Sequence, residues 1–158
     1  MSKWQQGTYQ VKNTHKYIGS KLPTFRSSWE RAFCQMCDDH PNIVKWASEN
    51  IKIPYMNPVS NRMANYVPDF MVQYIDKDGN QFVELIEIKP SKETTLENAN
   101  SVRDRAAVAV NTAKWQAASQ WCAQQGIRFK VINEDQIFHK PKGNKSKRQT
   151  RSRVPKKR

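Results

Sequence analysis

Two apolar segments, residues 67–75 and 81–88, flank the turn sequence Asp-Lys-Asp-Gly-Asn at residues 76–80. Both segments are rich in Val, Ile, Phe and Tyr, which are side chains that favour strands. The Gly, Asp and Asn residues between them favour a tight turn, because they adopt backbone angles that other residues avoid. The pattern predicts an antiparallel β-hairpin, and a turn centred on Asp78 determines which residues face each other.

The predicted hairpin carries charged residues at its open end. With the turn centred on Asp78, Asp69 lies directly opposite Glu87, and Lys89 lies one pleat further on the same face. Two facing carboxylates repel each other, so a hairpin that keeps both usually has a cation between them. A structural cluster in which Lys89 simply pairs with Glu87 is the alternative. The functional interpretation is favoured, because both carboxylates interrupt otherwise apolar strands.

The residue types at this end of the hairpin suit a hard divalent ion. Mg²⁺ takes oxygen ligands, which Asp69, Glu87 and the Ile88 carbonyl group can supply. An ion held there would lower the pKa of a bound water and neutralise the charge of an attacked phosphate. The Lys89 ammonium would orient the water or stabilise charge in the transition state. The set predicts metal-assisted phosphodiester hydrolysis, with Mg²⁺ as cofactor and Mn²⁺ as a substitute.

The dipeptide Pro68-Asp69 followed by Glu87-Ile88-Lys89 resembles the PD-(D/E)xK signature of restriction-like nucleases. The surrounding pattern agrees with this resemblance, since it predicts a helix, three strands, a helix and a strand, in the order of the restriction-endonuclease-like core. The expected fold class is therefore α/β with that core. The six predicted elements span residues 23–40, 51–55, 67–75, 81–88, 97–125 and 127–132, and a short helix or turn is expected at residues 133–138.

Two further acidic residues have alternative interpretations. Ser27 and Glu30 have the spacing of a capping box, in which side chains satisfy the free amides of a helix N-terminus. The resemblance implies instead that Glu30 approaches the metal, as a Glu on the first helix of such nucleases often does, and we favour this interpretation. Glu49, just before the expected first strand, is either another acidic neighbour of the site or, as we favour, a solvated residue.

The long helix predicted at residues 97–125 ends at Gly126, a residue that commonly terminates helices. The resemblance implies that Lys114 faces the site and contacts DNA, because family members often place a Lys or Gln there. A solvated Lys114 is the equal alternative. The expected buried stripe of the helix consists of Val102, Ala106, Ala109, Val110, Ala113, Ala117 and Trp121.

A closer resemblance covers about residues 7–138 and rests on residues 25–30, 49–55, 87–90 and 111–115. These segments resemble the head-completion nucleases of large tailed phages and, more weakly, the restriction-like cutting subunit of some transposons. The phage resemblance implies a small virion-associated nuclease, present in the host cytoplasm during assembly, that processes packaged DNA so that filled heads join tails. Its implied partners are double-stranded DNA and head, portal or neck proteins.

The positive charge of the chain is concentrated at its C-terminus. Of a formal net charge of +13, residues 140–158 carry +10 and contain no Asp or Glu. Such a segment is expected to be disordered and to bind phosphate backbones without reading sequence. A solubility tail or an arm that docks on an acidic protein are alternatives, and DNA contact is favoured. The tail cations are Lys140, Lys142, Lys145, Lys147, Arg148, Arg151, Arg153, Lys156, Lys157 and Arg158.

The expected organisation is an N-terminal arm at residues 1–20, a nuclease domain at residues 21–139 and the tail at residues 140–158. A chain of 158 residues accommodates one domain with an adequate core. No segment has the length and apolarity of a membrane span, and the N-terminus lacks a signal-peptide pattern. The sequence therefore predicts no membrane partner and a cytosolic protein until it enters a particle.

Three cysteines also require an interpretation. In a reducing cytosol, disulfides are not expected. Cys34, Cys37 and His40 have the spacing of zinc ligands, with Cys122 as a fourth, but one CxxC pair inside a helix is weak evidence. Ordinary buried helix cysteines are therefore the favoured interpretation.

Two hypotheses for function remain. In the first, the protein is a Mg²⁺-dependent DNA endonuclease in which Asp69 and Glu87 bind the metal, Lys89 assists and Glu30 supports them. In the second, it is a DNA-binding virion protein that caps the filled head without catalysis. The first is favoured, because an inactive descendant has no need to keep Asp69, Glu87 and Lys89 together. The preferred DNA structure, the endo- or exonucleolytic mode and the number of subunits do not follow from the sequence.

Overall fold

The computed structural model describes residues 6–89 and 101–133. Within these residues the chain forms two helices and eight strands. No helix in this part of the chain is long and apolar enough to cross a membrane. In chain order, the elements are β1 (Gly7–Thr8), β2 (Thr24–Phe25), α1 (Ser28–Asp39), β3 (Ile43–Ser48), β4 (Ile53–Asn57), β5 (Arg62–Tyr66), β6 (Phe70–Ile75), β7 (Gln81–Ile88), α2 (Val102–Gln125) and β8 (Arg128–Ile132).

Four of the described strands form the central sheet, in the order β3-β6-β7-β8. The β6 strand is antiparallel to both of its neighbours, β3 and β7. The β8 strand, which follows α2 in the chain, runs parallel to β7. The sequence of elements from α1 to β8 therefore contains a helix, three sheet strands, a helix and a strand. The restriction-endonuclease-like core predicted from the sequence is confirmed.

The first strand of this sheet is not the predicted one. Residues 43–48 form it, whereas residues 53–57 pair with β5 in a separate two-stranded hairpin. That hairpin packs one face against α2 and exposes the other, so buried and exposed residues alternate along β4. The alternation at Ile51, Ile53 and Tyr55 was therefore a correct strand signal assigned to the wrong sheet.

The β6 and β7 strands form the predicted hairpin in the predicted register, which pairs Phe70 with Ile86. The register is set by the turn, where the Asp76 carboxylate accepts hydrogen bonds from the backbone N–H groups of two later turn residues. The next positions beyond Phe70 and Ile86 are Asp69 and Glu87. The fold therefore brings these two carboxylates to the open end of the hairpin, as expected.

Apolar clusters lie on both faces of the central sheet. Side chains alternate along β7, so Ile86 and Ile88 pack on the α1 side, while Leu85 packs on the side of α2 and the β4–β5 hairpin. Glu87 shares the face of Leu85. The buried members on the α1 side are Phe33, Cys34, Cys37, Ile43, Trp46, Phe70, Val72, Ile86, Ile88 and Ile132, and those on the α2 side are Ile53, Tyr55, Tyr66, Leu85, Ala118 and Cys122.

Helix α1 starts later than the predicted residue 23. The preceding residues are extended, because Thr24 and Phe25 pair with β1. Ser27 is the N-cap, and its Oγ accepts a hydrogen bond from the Glu30 N–H at 3.2 Å. This cap satisfies an amide that has no partner within the helix and thereby determines where α1 begins.

Helix α2 begins after Ser101 and ends at Gly126, which adopts a φ of 70° in the left-handed region that favours glycine. Its predicted buried stripe is partly wrong, because Val102 is 87% exposed and Ala109 is exposed as well. The helix is rich in alanine around its circumference, so apolar spacing defines its buried face poorly. The fully buried side is formed by Val108, Asn111, Ala118 and Cys122.

Residues 6–20 pack against the core and do not project as the predicted arm. Asp38 is completely buried at the end of α1, and its carboxylate accepts hydrogen bonds from the Tyr9 hydroxyl and from the N–H groups of Lys12 and Asn13. Burial opposes ionisation of Asp38, but these hydrogen bonds lower its pKa. Lys16 Nζ donates to the Asp38 carbonyl oxygen at 2.9 Å. These long-range bonds make the N-terminal segment part of the domain.

The cysteines are free and buried, and the structure does not bring them together. Cys34 and Cys37 belong to the cluster on the α1 side, whereas Cys122 lies in the cluster across the sheet. Within residues 6–89 and 101–133, no group of three or more His, Cys, Asp or Glu side chains is arranged to hold a metal ion. Burial raises the pKa of the Cys34 thiol to about 12, which keeps it protonated. The cysteines therefore act as core residues.

Candidate active site

The candidate site is built around the carboxylates of Asp69 and Glu87. Asp69 directly precedes β6, and its Oδ2 accepts a hydrogen bond from the Ile88 backbone N–H at 2.8 Å. Glu87 lies within β7 and is only 6% exposed. The backbone of β7, the strand that carries Glu87, thus holds the Asp69 carboxylate. The hairpin therefore sets the distance between the two carboxylates.

Tyr66 orients Glu87 and was missed in the sequence analysis. Its hydroxyl group donates a hydrogen bond of 2.8 Å to Glu87 Oε2 in a buried environment. Tyr66 ends β5, the second strand of the separate hairpin, so this contact depends on the packing of that hairpin over the central sheet. The sequence offered one signal, a tyrosine three residues before Asp69 in an alternating strand.

Both carboxyl groups resist ionisation. Burial raises the pKa of Asp69 well above its usual value, and the negative charge of Glu87 adds to this rise. Burial also raises the pKa of Glu87, although the Tyr66 hydrogen bond and the charge of Lys89 oppose the change. A buried and a half-buried acid that repel each other are costly to keep charged, so the site is suited to a cation that neutralises them.

In protein kept free of divalent ions by EDTA, Asp69→Asn should raise the melting temperature at pH 8 by about 3 °C. The folded-state pKa of Asp69 is raised. The contribution of the Asp69 carboxyl group to the stability of the wild type is therefore complete below about pH 4. This contribution is lost as the pH rises through the raised pKa. The amide keeps an oxygen for the Ile88 N–H but carries no charge. Thermal unfolding followed by circular dichroism at pH 4 and pH 8 measures the effect.

The matched control is Asp78→Asn, which removes a carboxylate from the exposed turn of the same hairpin. This variant should keep the pH dependence of the wild type. If Asp69→Asn changed the melting temperature equally at pH 4 and pH 8, charge repulsion at Asp69 would not be the cause.

Lys89 follows β7 and lies next to the two carboxylates. Its Nζ is 3.8 Å from Glu87 Oε1, which is close enough for an ion pair but too long for a hydrogen bond. The side chain is 28% exposed, whereas that of Glu87 is 8% exposed. The ammonium group is thus close enough to pair with Glu87 and remains partly open to solvent, which agrees with both predicted interpretations of Lys89.

Lys114 reaches the site from α2, which agrees with one of its two predicted positions. Its Nζ lies 5.9 Å from the ring centre of Tyr55 and 5.7 Å from that of Tyr66. Cations are attracted to aromatic faces at such distances, so the rings help to hold the side chain in place. Burial raises the pKa of Glu87, and the Lys114 charge opposes that rise.

Glu30 shows features of both predicted interpretations. Its backbone N–H binds the N-cap Ser27, and its carboxylate accepts a hydrogen bond from the Arg26 backbone N–H, as in a capping box shifted by one residue. The Glu30 charge also acts on Asp69, where it adds to the larger effect of burial in raising the pKa. The structure therefore places Glu30 beside the pair while its carboxylate caps α1.

Glu49 is exposed and forms an ion pair with Arg26. Its Oε1 accepts a hydrogen bond of 2.9 Å from Arg26, while its backbone N–H binds the Asp69 carbonyl oxygen. The favoured interpretation of Glu49 as a solvated side chain agrees with this position. Residues 134–158, which include the ten predicted DNA-binding cations of the tail, lie outside the described residues, as does Pro90.

The described geometry combines a buried and a half-buried acid, a neighbouring ammonium group and a second lysine at the open end of the β6–β7 hairpin. Carboxylates arranged in this way supply oxygen ligands to a divalent cation, and the lysines supply positive charge for a phosphate. The arrangement is therefore suited to hydrolysis of a phosphate ester.

Comparison with known proteins defines the class. The family described as TnsA-like endonuclease N terminal matches residues 40–134, which is more than half of the chain, and the chain belongs to this restriction-endonuclease-like family. It is also 34% identical over 140 residues to the head completion nuclease of Enterobacteria phage T4, an alignment that covers 82% of this chain and 91% of the phage protein. The resemblance to head-completion nucleases predicted from the sequence is confirmed.

Proposed function

We propose that this protein is a Mg²⁺-dependent deoxyribonuclease that hydrolyses phosphodiester bonds of packaged phage DNA. The observation that carries the proposal is the pair of facing carboxylates, half-buried Asp69 and buried Glu87, with Lys89 beside them at the open end of the hairpin. A structural role gives no reason for two acids of raised pKa to face each other in this position. The endonuclease family and the nuclease relative support the same activity.

The donor set fits a divalent ion. Asp69 and Glu87 would be the carboxylate ligands, with the Ile88 carbonyl oxygen as a third, and Mn²⁺ would substitute for Mg²⁺ because both accept oxygen ligands. When bound, such an ion supplies positive charge for the phosphate and a water of lowered pKa. A bound cation would remove the repulsion between Asp69 and Glu87. Without the cation, this repulsion lowers the stability of the folded hairpin.

The remaining residues position groups around the reacting phosphate. Lys89 directs its ammonium group toward the substrate side of Glu87, where it orients the attacking water or stabilises negative charge on the phosphate. Tyr66 holds Glu87 Oε2, which leaves Oε1 toward Lys89. Glu30 adds negative charge next to Asp69 and so supports cation binding. Lys114 contacts the DNA backbone.

The biological setting is proposed from the phage relative, which is named a head completion nuclease. A nuclease of this kind would act on double-stranded DNA in filled heads, remain associated with the particle and contact head, portal or neck proteins before tails join. The ten cations of residues 140–158 would keep it on DNA. We favour endonucleolytic cutting, since the matching family is described as an endonuclease.

Metal binding tests the proposed site directly. Titration calorimetry with Mn²⁺ should show binding by the wild type and at least about a tenfold weaker affinity for Glu87→Gln, which loses a charged ligand. Glu84→Gln is the matched control, because Glu84 is also buried on β7 but alternation places it on the opposite face. It should bind Mn²⁺ as the wild type does. Equal affinities for all three proteins would contradict a metal site at this pair.

A further inference from the structure

A groove of about 440 Å³ runs beside the candidate site. Its floor includes Lys89, and its two walls come from the tip of the β4–β5 hairpin and from α2. Lys114, which acts on Glu87, also lines it. Lys89 and Lys114 thus place one end of the groove next to Glu87, and the groove leads away from there between two different elements.

The lining of the groove is divided chemically. Lys89 and Lys114 supply positive charge at the end next to the acidic pair, and no described lining residue is acidic. Val59 on the hairpin and Val110 on α2 supply apolar surface on opposing walls, where two alanines of the helix allow close approach. A phosphate would be attracted to the lysines, but the apolar walls provide no hydrogen bond or charge for it.

The hairpin tip that carries Val59 is held in a defined conformation. The Asn57 side-chain oxygen accepts hydrogen bonds from the backbone N–H groups of Val59 and Ser60. Asn61 closes the turn with a φ of 54° and donates its N–H to the Asn57 carbonyl oxygen. Val59 nevertheless remains 61% exposed. The hydrogen-bonded turn therefore holds an exposed apolar side chain at the groove.

Amide groups complete the lining. Asn111 is 8% exposed on α2 and Asn57 lies across the groove from it. Amide side chains can bond to the edges of nucleobases, and Asn57, whose oxygen is held within the turn, would donate from its amide nitrogen. Cations at one end, apolar walls and amides match the three parts of a nucleotide, which are a charged phosphate, a flat apolar face and a polar base edge. In a stacked duplex those faces are covered by the neighbouring bases.

We propose that this groove holds a nucleotide that has left the base stack, next to the phosphate that is cut. The inference rests on the proposed nuclease function and specifies its substrate class, which is duplex DNA with unpaired nucleotides, such as a frayed end or an overhang. Fully paired DNA must first lose the stacking and pairing of that nucleotide, at a free-energy cost. An already unpaired nucleotide enters without that cost.

Binding to two labelled duplexes tests the inference. One duplex is fully paired, and the other has the same sequence with several unpaired nucleotides at one end. Fluorescence anisotropy in Ca²⁺, which also takes oxygen ligands, measures both affinities. The wild type should bind the overhang duplex at least about tenfold more tightly. Val59→Glu should remove that preference, since a carboxylate would face the phosphate and the apolar wall would be lost.

Met63→Glu is the matched control. Met63 belongs to the same hairpin and is 62% exposed, almost the same as Val59, but it does not line the groove. Both variants change the net charge equally, so only the position of the carboxylate differs. Met63→Glu should keep the wild-type preference for the overhang duplex. Equal affinities of the wild type for both duplexes, or equal behaviour of the two variants, would overturn the inference.

Cleavage of the same duplexes in Mg²⁺ separates this inference from the proposed function. Cleavage of both at equal rates, together with equal affinities, would overturn the substrate class and leave the nuclease proposal intact. Absence of cleavage of every duplex in Mg²⁺ and Mn²⁺ would overturn the nuclease proposal and the substrate class with it. Faster cleavage of the overhang duplex, lost in Val59→Glu but not in Met63→Glu, is the expected result.

Discussion

Asp69→Ala is expected to abolish DNA cleavage, with a fall in rate of at least about 1,000-fold, or ~4 kcal/mol of transition-state stabilisation. The substitution removes one of two proposed carboxylate ligands and the acceptor for the Ile88 N–H. Lys89→Ala should have a similar effect, because it removes the ammonium group beside the pair. The measurement is the cleavage rate of a labelled duplex at saturating DNA in Mg²⁺.

The same variants should remain folded and bind DNA nearly as the wild type does. Removal of a repelling charge at Asp69 relieves strain in the metal-free hairpin, so loss of activity through unfolding is not expected. Asp78→Ala, at the exposed turn of the same hairpin, should cleave at the wild-type rate. If Asp69→Ala retained more than about a tenth of the wild-type rate, Asp69 would not hold a catalytic metal.

Deletion of residues 140–158 is expected to lower the affinity for DNA by at least about 100-fold at low salt and to flatten its salt dependence. The segment carries +10 of the net charge of +13. Each cation that neutralises a phosphate releases a counterion and adds about 0.9 to the slope of log affinity against log salt concentration. The slope should therefore fall by several units. Anisotropy titrations from low to high NaCl measure it.

A variant with the tail residues in scrambled order is the matched control for this deletion. It keeps the charge and composition of residues 140–158, so its affinity and salt slope should equal those of the full chain. Cleavage at saturating DNA should persist after the deletion, because the proposed catalytic residues lie elsewhere. An unchanged salt slope in the deletion variant would refute the DNA-anchoring role and favour a solubility tail or a protein-docking arm.

The parts of the site that the sequence predicts well depend on local chemistry. The turn at Asp76 and Gly79 determines the hairpin register through short-range hydrogen bonds, and that register alone brings Asp69 opposite Glu87. Local signals also predict the stop at Gly126, and the spacing of Ser27 and Glu30 indicates the N-cap, although the predicted helix began at residue 23. These features require no knowledge of how the elements pack.

The parts that were missed depend on contacts between distant elements. Tyr66 reaches Glu87 only because the β4–β5 hairpin packs beside the sheet, and an isolated strand pattern does not reveal which sheet a strand joins. Likewise, Lys16 and Asp38 form buried polar contacts across 22 residues of sequence, although both residue types usually indicate exposed positions. The assignment of residues 1–20 to an arm failed for this reason over residues 6–20.

The most direct test of the central claim is incubation of linear and supercoiled plasmid with the wild-type protein in Mg²⁺, Mn²⁺ or EDTA. The proposed site predicts cutting in Mg²⁺ and Mn²⁺ and none in EDTA, because the Asp69–Glu87 pair lacks its cation there. Cutting of the supercoiled form would also identify the activity as endonucleolytic. Failure of a folded, DNA-binding protein to cut either plasmid with either metal would contradict the nuclease proposal and favour a non-catalytic protein that caps the filled head.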